Sequence, residues 1–142
     1  MTDLPPMNEP PPAEIITYQF HDASVPPPYH RSFVLTFDSE RARIVVDSYG
    51  QVLAERTAPM TAGLWQQVSS SLPRDLIVQE PAEGCTGGTG FTVSVADGGV
   101  VSFALSGSEC GGANSNAAER LADWVAPVRS LFPPMDQLAP DG

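Results

Sequence analysis

Four polar side chains capable of chemistry follow a run of three prolines. They are Tyr29, His30, Arg31 and Ser32, in the stretch SVPPPYHRS. A histidine near a serine can act as its general base, which is the basis of nucleophilic hydrolysis. Side chains two residues apart on a strand point to the same face, but this spacing alone does not place them within hydrogen-bond distance. Asp22 and Asp47 are the carboxylates that folding could bring near His30, and the adjacent sequence supplies no oxyanion hole.

The same four residues support two other interpretations. Proline fixes φ and has no N–H, so the stretch forms a rigid connection between strands that these side chains hold by local hydrogen bonds. A stiff loop that carries Tyr and Arg is also a low-entropy contact surface, because both residue types are enriched at binding hot spots. The sequence favours structural anchoring first, recognition of a partner or ligand second, and catalysis third.

The charge of the chain limits the partners it can have. Acidic residues number 17, the seven basic residues are all arginines, and the formal net charge is −10. Such a surplus repels phosphate backbones and anionic lipid, so neither a nucleic acid nor a membrane is expected as partner. The N-terminal residues have no basic stretch followed by an apolar one, so the expected location is cytoplasmic.

Neither a cofactor nor a metal is expected. The glycine cluster GCTGGTG lacks the Lys-Ser/Thr pair of a phosphate-binding loop and leads into a strand instead of a helix. Two cysteines with distant histidines lack the paired-ligand spacing of zinc sites. The acidic residues around RARIVVD lack the loop pattern of a calcium site, and a solvated surface is the better interpretation.

Apolar residues alternate on both arms of the segment between Cys85 and Cys110. Placing both sets on one face predicts a hairpin in which Val95 opposes Val101, with Asp97–Gly99 as a three-residue loop. Extending this register brings the two cysteines within one step of each other, and flanking glycines can absorb the offset. A disulfide is therefore predicted in oxidising surroundings, with two packed thiols as the alternative.

Period-two alternation runs through most of the chain. It is found in the segments IITYQFH, SFVLTFD, RARIVVD and QVLAERT, and Gly50 in DSYG can take the positive φ of a tight turn. A further short strand is predicted in DLIVQ. Together with the hairpin, these segments predict an antiparallel sheet of about five to seven strands.

Two stretches have helical spacing, and each has a tryptophan on its apolar stripe. Thr61 is the candidate N-cap of the first, which Pro73 ends. Asn116 and Glu119 resemble a capping box at the start of the second, where Pro127 predicts a kink or an early break. The predicted fold class is α+β, an antiparallel sheet with two amphipathic helices on one face. Residues 14–132 form the predicted domain, between a disordered proline-rich tail at 1–13 and a flexible tail at 133–142.

The motifs DASVPPPYHRSF, VVDSYGQVLA, GCTGGTG and CGG together resemble a group of small bacterial proteins with no assigned function. The resemblance covers residues 15–132 and implies no activity. At the level of architecture alone, a small antiparallel sheet with helices is similar to emfourin-type metalloprotease inhibitors.

We therefore expect a small acidic non-enzymatic protein that binds another protein through the loop carrying Tyr29, His30, Arg31 and Ser32. One alternative is an inhibitor or immunity protein, which negative charge would steer towards a basic target enzyme. Another is a small hydrolase-like enzyme centred on His30. The oligomeric state is left open.

Overall fold

The computed structural model describes residues 14–78, 88–109 and 114–140. Its strands are β1 (Glu14–His21), β2 (Ser32–Phe37), β3 (Arg41–Ser48), β4 (Gln51–Pro59), β5 (Gly90–Asp97) and β6 (Val100–Ser108), and its helices are α1 (Ala62–Ser70), α2 (Ser115–Arg129) and α3 (Met135–Leu138). The described strands form one antiparallel sheet in the order β4-β3-β2-β1-β5-β6. The predicted α+β class is confirmed. The predicted tail at residues 1–13 lies outside the described residues.

One face of the sheet is apolar because alternate residues of each strand point towards it. At the centre, Ile16 faces Phe37 on one side and Val95 on the other, and all three are at most 1% exposed. Helices α1 and α2 pack on this face, where Leu121 is fully buried. Burying a side chain of that size contributes roughly 1.5–3 kcal/mol.

Both tryptophans pack where their helical spacing predicted. Trp65 in α1 and Trp124 in α2 have ring centroids 6.4 Å and 6.2 Å from that of Phe37. The indole Nε1 of Trp124 donates a hydrogen bond to the carbonyl of Val68 over 2.8 Å. This bond ties the two helices together above the sheet.

The β5–β6 hairpin differs from the predicted one in its register. Val95 opposes Phe103 instead of Val101, and the turn consists of Gly98–Gly99, with φ values of +61° and +87°. A register shift follows between Val95 and Ala96. The two-residue turn suits glycines, and the bulge moves Val101 to the opposite face, where it is 61% exposed. The predicted pairing is therefore wrong by two residues. Phe103 and Leu105 pack against the apolar core as predicted, whereas Val101 does not.

The predicted disulfide concerns Cys85 and Cys110, which lie outside the described residues. It was derived by extending the hairpin register, and that register is two residues out. The strand pairing therefore no longer supports the predicted approach of the two cysteines. It stays a prediction.

The helix ends agree with the sequence at one position and not at another. Thr61 caps α1 as predicted, because its Oγ1 accepts a hydrogen bond from the N–H of Leu64 over 3.1 Å. The N-cap of α2 is Asn114, with φ of +65°, so the predicted capping box at Asn116 is wrong. Helix α2 includes Pro127 and ends two residues later.

Two further segments differ from their predicted form. Asp75–Val78, part of the predicted strand DLIVQ, is not a strand, and Ile77 is 83% exposed. Residues 133–140, which the sequence assigns to a flexible tail, include the one-turn helix α3. Leu138 and Ala139 are each only 6% exposed, so this segment packs against the domain.

Candidate functional site

The loop between β1 and β2, residues 22–31, is closed at its base by hydrogen bonds. The carboxylate of Asp22 accepts from the N–H groups of Ala23 and Arg31, each over 2.8 Å. The hydroxyl of Ser32 accepts from the N–H of Asp22 over 2.9 Å. Side chains at the two ends of the loop thus satisfy three of its backbone donors. Ser32 is buried and acts here as a structural acceptor.

The prolines shape the tip of this loop. Pro27–Tyr29 form one 3₁₀ turn, in which the N–H groups of Tyr29 and His30 donate to the carbonyl of Pro26 over 2.9 Å and 3.1 Å. Prolines at the first positions of such a turn have no N–H to satisfy and have φ already fixed. The side chain of Tyr29 remains 59% exposed on this rigid tip.

Arg31 connects the loop to the C-terminal segment. Its Nε and Nη2 donate to the carbonyls of Ala139 and Pro140 over 2.8 Å and 2.7 Å. Its Nη1 donates to the carbonyl of His30 over 2.7 Å. The planar guanidinium has donors in a fixed fork and can satisfy several carbonyls at once. Arg31 is therefore committed to contacts within the chain.

His30 is buried beneath Tyr49, a residue outside the set of predicted binding residues. Its ring stacks on that of Tyr49, with centroids 3.8 Å apart and planes inclined by 20°, and His30 is 6% exposed. Tyr49 lies in the tight turn between β3 and β4 with φ of +49°, followed by Gly50 with φ of +91°. Its hydroxyl donates to the carbonyl of Val25 over 2.5 Å.

The left-handed backbone of Tyr49 explains why the contacts of its ring and hydroxyl matter. A left-handed conformation costs an ordinary residue roughly 1–2 kcal/mol, and tight hairpin turns favour Asn, Asp or Gly there. The stacked ring and the hydroxyl bond offset that cost. A tyrosine directly before the turn glycine in DSYG was the sequence signal that could have identified this residue.

No Ser–His–carboxylate triad is formed around His30 and Ser32 among the described residues. Within residues 14–78, 88–109 and 114–140, no hydrogen bond joins His30 to Ser32 or to a carboxylate, and His30 Nδ1 has no partner. Both carboxylate oxygens of Asp22 already accept from backbone N–H groups. A triad needs a carboxylate that orients the histidine and a histidine that contacts the hydroxyl.

An open groove of about 480 Å³ lies beside the loop. We call it the proline–tyrosine groove. It is lined by Pro27, Pro28, Arg31, Ser48, Tyr49, Gln51 and Leu53. The hydroxyl of Ser48 donates to the carbonyl of Pro27 over 3.1 Å, which links its two walls. Leu53, which is 37% exposed, is the apolar residue that β4 contributes to this groove.

A second cavity, of about 500 Å³, lies between the sheet and the start of α2. Tyr18, Phe20 and Phe91 contribute aromatic rings to it, and Glu109 and Glu119 contribute carboxylates. Burial, and secondarily the charge of Glu109, raise the pKa of Tyr18 to about 12. The side chain of Tyr18 is therefore a neutral phenol at any physiological pH.

Comparisons with family models, curated proteins and solved structures give no match to this chain. Both resemblances drawn from the sequence stay predictions. None of the helices in the described residues has the length and apolar character needed to cross a membrane. The cytoplasmic location stays a prediction too.

Proposed function

We propose that the protein binds another protein through the proline–tyrosine groove and the exposed ring of Tyr29 beside it. Three of the four predicted binding residues, His30, Arg31 and Ser32, hold this surface in place. One observation carries the proposal: the side chains of Asp22, Arg31 and Ser32 are occupied by internal hydrogen bonds, while the prolines of the loop and Tyr29 remain open to solvent next to an apolar groove.

The rigidity of the surface supports a binding role. Ordering a loop or a long side chain on association costs free energy, and that cost is small where the loop is already fixed. Here the 3₁₀ turn, the bonds of Asp22 and the bonds of Arg31 hold the loop before any partner arrives. Tyrosine adds a large contact area with few rotatable bonds, which explains its enrichment at hot spots.

The chemistry of the groove indicates the kind of partner segment it fits. Walls of proline, tyrosine and leucine favour apolar or proline side chains, and aromatic-lined grooves of this kind bind extended proline-rich segments in other proteins. The net charge of −10 speeds the encounter with a partner that carries a basic surface. The partner we propose therefore presents an extended apolar segment within basic surroundings.

Site-specific photocrosslinking in the source organism tests this assignment. A photoreactive phenylalanine analogue is placed at Tyr29, at Leu53 or, as the matched control, at Ile77. Ile77 is 83% exposed, and its neighbour Val78 packs against β6, at the sheet edge opposite to β4.

The expected result is one protein that crosslinks at positions 29 and 53 and not at 77. The purified partner should then bind the Leu53→Ala variant roughly tenfold more weakly, as expected for a contact at the centre of an interface. Equal crosslinking at all three positions, or none at positions 29 and 53, would refute the proposed surface.

A further inference from the structure

The cavity between the sheet and the start of α2 contains negative charge that no basic side chain pairs with. Glu109 and Glu119 line this cavity of about 500 Å³, and neither takes part in an ion pair within the described residues. The seven arginines and two histidines, the only basic side chains of the chain, all belong to residues 14–78, 88–109 and 114–140, and none lines the cavity. The remaining residues therefore contain no basic side chain that could pair with these carboxylates.

The hydroxyl of Tyr18 is a second polar group of this cavity without a partner. The side chain is only 4% exposed, yet its hydroxyl makes no hydrogen bond within the described residues. A buried phenol normally has a hydrogen-bond partner, because an unpaired buried hydroxyl costs free energy. Burial raises the pKa of Tyr18, and the charge of Glu109 raises it further, so the carboxylate and the phenol lie near each other.

The aromatic rings around these polar groups suit a cation that has an apolar part. Phe20 and Phe91 line the cavity together with Tyr18. The face of an aromatic ring attracts a cation, and the same rings shield an alkyl chain from water. The carboxylates repel an anion, and a purely apolar molecule would leave the hydroxyl of Tyr18 unpaired. The walls of the cavity therefore favour an organic cation over both.

We propose that this cavity binds a small alkylammonium ion, an organic amine in its protonated form. The N–H groups of the amine donate to the carboxylate of Glu109 and to the hydroxyl oxygen of Tyr18, while its alkyl chain packs against the rings of Phe20 and Phe91. The site shares no residue with the proline–tyrosine groove and does not depend on the function proposed for it.

The charges of the surroundings favour a cation on balance. Glu109 is half-buried and attracts a cation strongly, whereas Glu119 is exposed and water screens its attraction. The free N–H groups at the start of α2 oppose a cation, but their charge of about +0.5 is smaller than that of the two carboxylates. The net charge of −10 also attracts a cation from a distance.

NMR titration of the full chain tests the proposal with three ligands that share one alkyl chain. At neutral pH hexylamine is positive, hexanol is neutral and hexanoate is negative. We expect hexylamine to bind with a Kd below about 1 mM and to shift the amide signals of Tyr18, Phe91 and Ala118, which line the cavity. Hexanol should bind at least roughly tenfold more weakly, because it lacks the charged donor, and hexanoate more weakly still.

Two variants test the named residues. Glu109→Gln keeps the size of the side chain and removes its charge, and it should weaken hexylamine binding roughly tenfold. Tyr18→Phe keeps the ring and loses the hydroxyl, and it should weaken binding roughly threefold. The matched control is Glu40→Gln, which makes the same charge change at an exposed residue outside the cavity and should leave the Kd within about twofold.

The comparison of the three ligands on the wild type decides the matter even if a variant fails to fold. Equal affinities for all three would show an apolar cavity without a cation site and would overturn the proposal. Tighter binding of hexanoate, which the start of α2 would favour, would overturn it too. So would the absence of signal shifts at roughly 10 mM hexylamine, ten times the highest expected Kd, or an equal loss of affinity in Glu109→Gln and Glu40→Gln.

Discussion

Replacing Arg31 with alanine should detach residues 133–140 from the loop and lower the free energy of unfolding by roughly 2–4 kcal/mol. The side chain donates three hydrogen bonds of 2.7–2.8 Å, to the carbonyls of His30, Ala139 and Pro140. Bonds with a charged donor contribute about 1.5–3 kcal/mol each where water is excluded, and less where it is not. The bond to Pro140 is exposed and the other two are half-buried, so each contributes only about 0.7–1.3 kcal/mol and the three together about 2–4 kcal/mol.

Urea unfolding measures this loss, and thermal unfolding should show a fall in Tm of roughly 6–12 °C for a chain of this size. Arg31→Lys is the matched variant, because it keeps the positive charge and loses the planar fork. We expect it to lose more than half as much stability as the alanine variant. Native-state hydrogen exchange should also show faster exchange at Leu138 and Ala139, whose N–H groups bond within the detached segment.

Three results would count against this reasoning. A loss below about 0.5 kcal/mol for Arg31→Ala, within the usual range of surface substitutions, would show that the three bonds contribute little. Full stability of Arg31→Lys would show that the charge matters and the fork does not. Unchanged hydrogen exchange at residues 138 and 139 would show that Arg31 does not hold the C-terminal segment against the loop.

Three further predictions concern the sheet and the helices. The free energy of unfolding should fall by about 2 kcal/mol between pH 10 and pH 12, because Tyr18 ionises at a lower pH in the unfolded chain than in the folded one, where its pKa is about 12. In urea unfolding, the Tyr18→Phe variant should lose most of this pH dependence. An unchanged pH dependence would contradict the raised pKa of Tyr18. Trp124→Phe removes the hydrogen bond to Val68 and should lower the free energy of unfolding by about 1–2 kcal/mol in urea. An unchanged free energy of unfolding would show that this bond does not hold the two helices together. Thr61→Ala removes the N-cap of α1 and should cost about 1 kcal/mol in thermal unfolding, whereas a neutral result would contradict the cap.

Local patterns were enough to predict the layers of the fold and were not enough to predict its pairings. Alternation placed residues such as Ile16 on the buried face, and helical spacing placed both tryptophans against it. The hairpin register failed because a two-residue turn with a bulge and a three-residue turn both put Val95 and Phe103 on one face. Parity of the apolar positions cannot distinguish registers that differ by two residues.

The sequence indicated the candidate loop but not the contacts that its side chains make. The bond from Arg31 to Ala139 joins residues 108 positions apart, and no short-range pattern indicates such a contact. Tyr49 was missed for the same reason, since its partners His30 and Val25 lie on a different loop. A loop with polar side chains suggests chemistry from its sequence, whereas its contacts show which of those side chains are occupied.

The most direct test of the proposed function is the affinity of the crosslinked partner for Tyr29 variants. Calorimetric titration should show at least roughly tenfold weaker binding by Tyr29→Ala and near wild-type binding by Tyr29→Phe, which keeps the ring. The free energy of unfolding of both variants should stay within about 0.5 kcal/mol of wild type, because Tyr29 is exposed. Wild-type affinity in Tyr29→Ala would contradict the claim that this loop presents a binding surface.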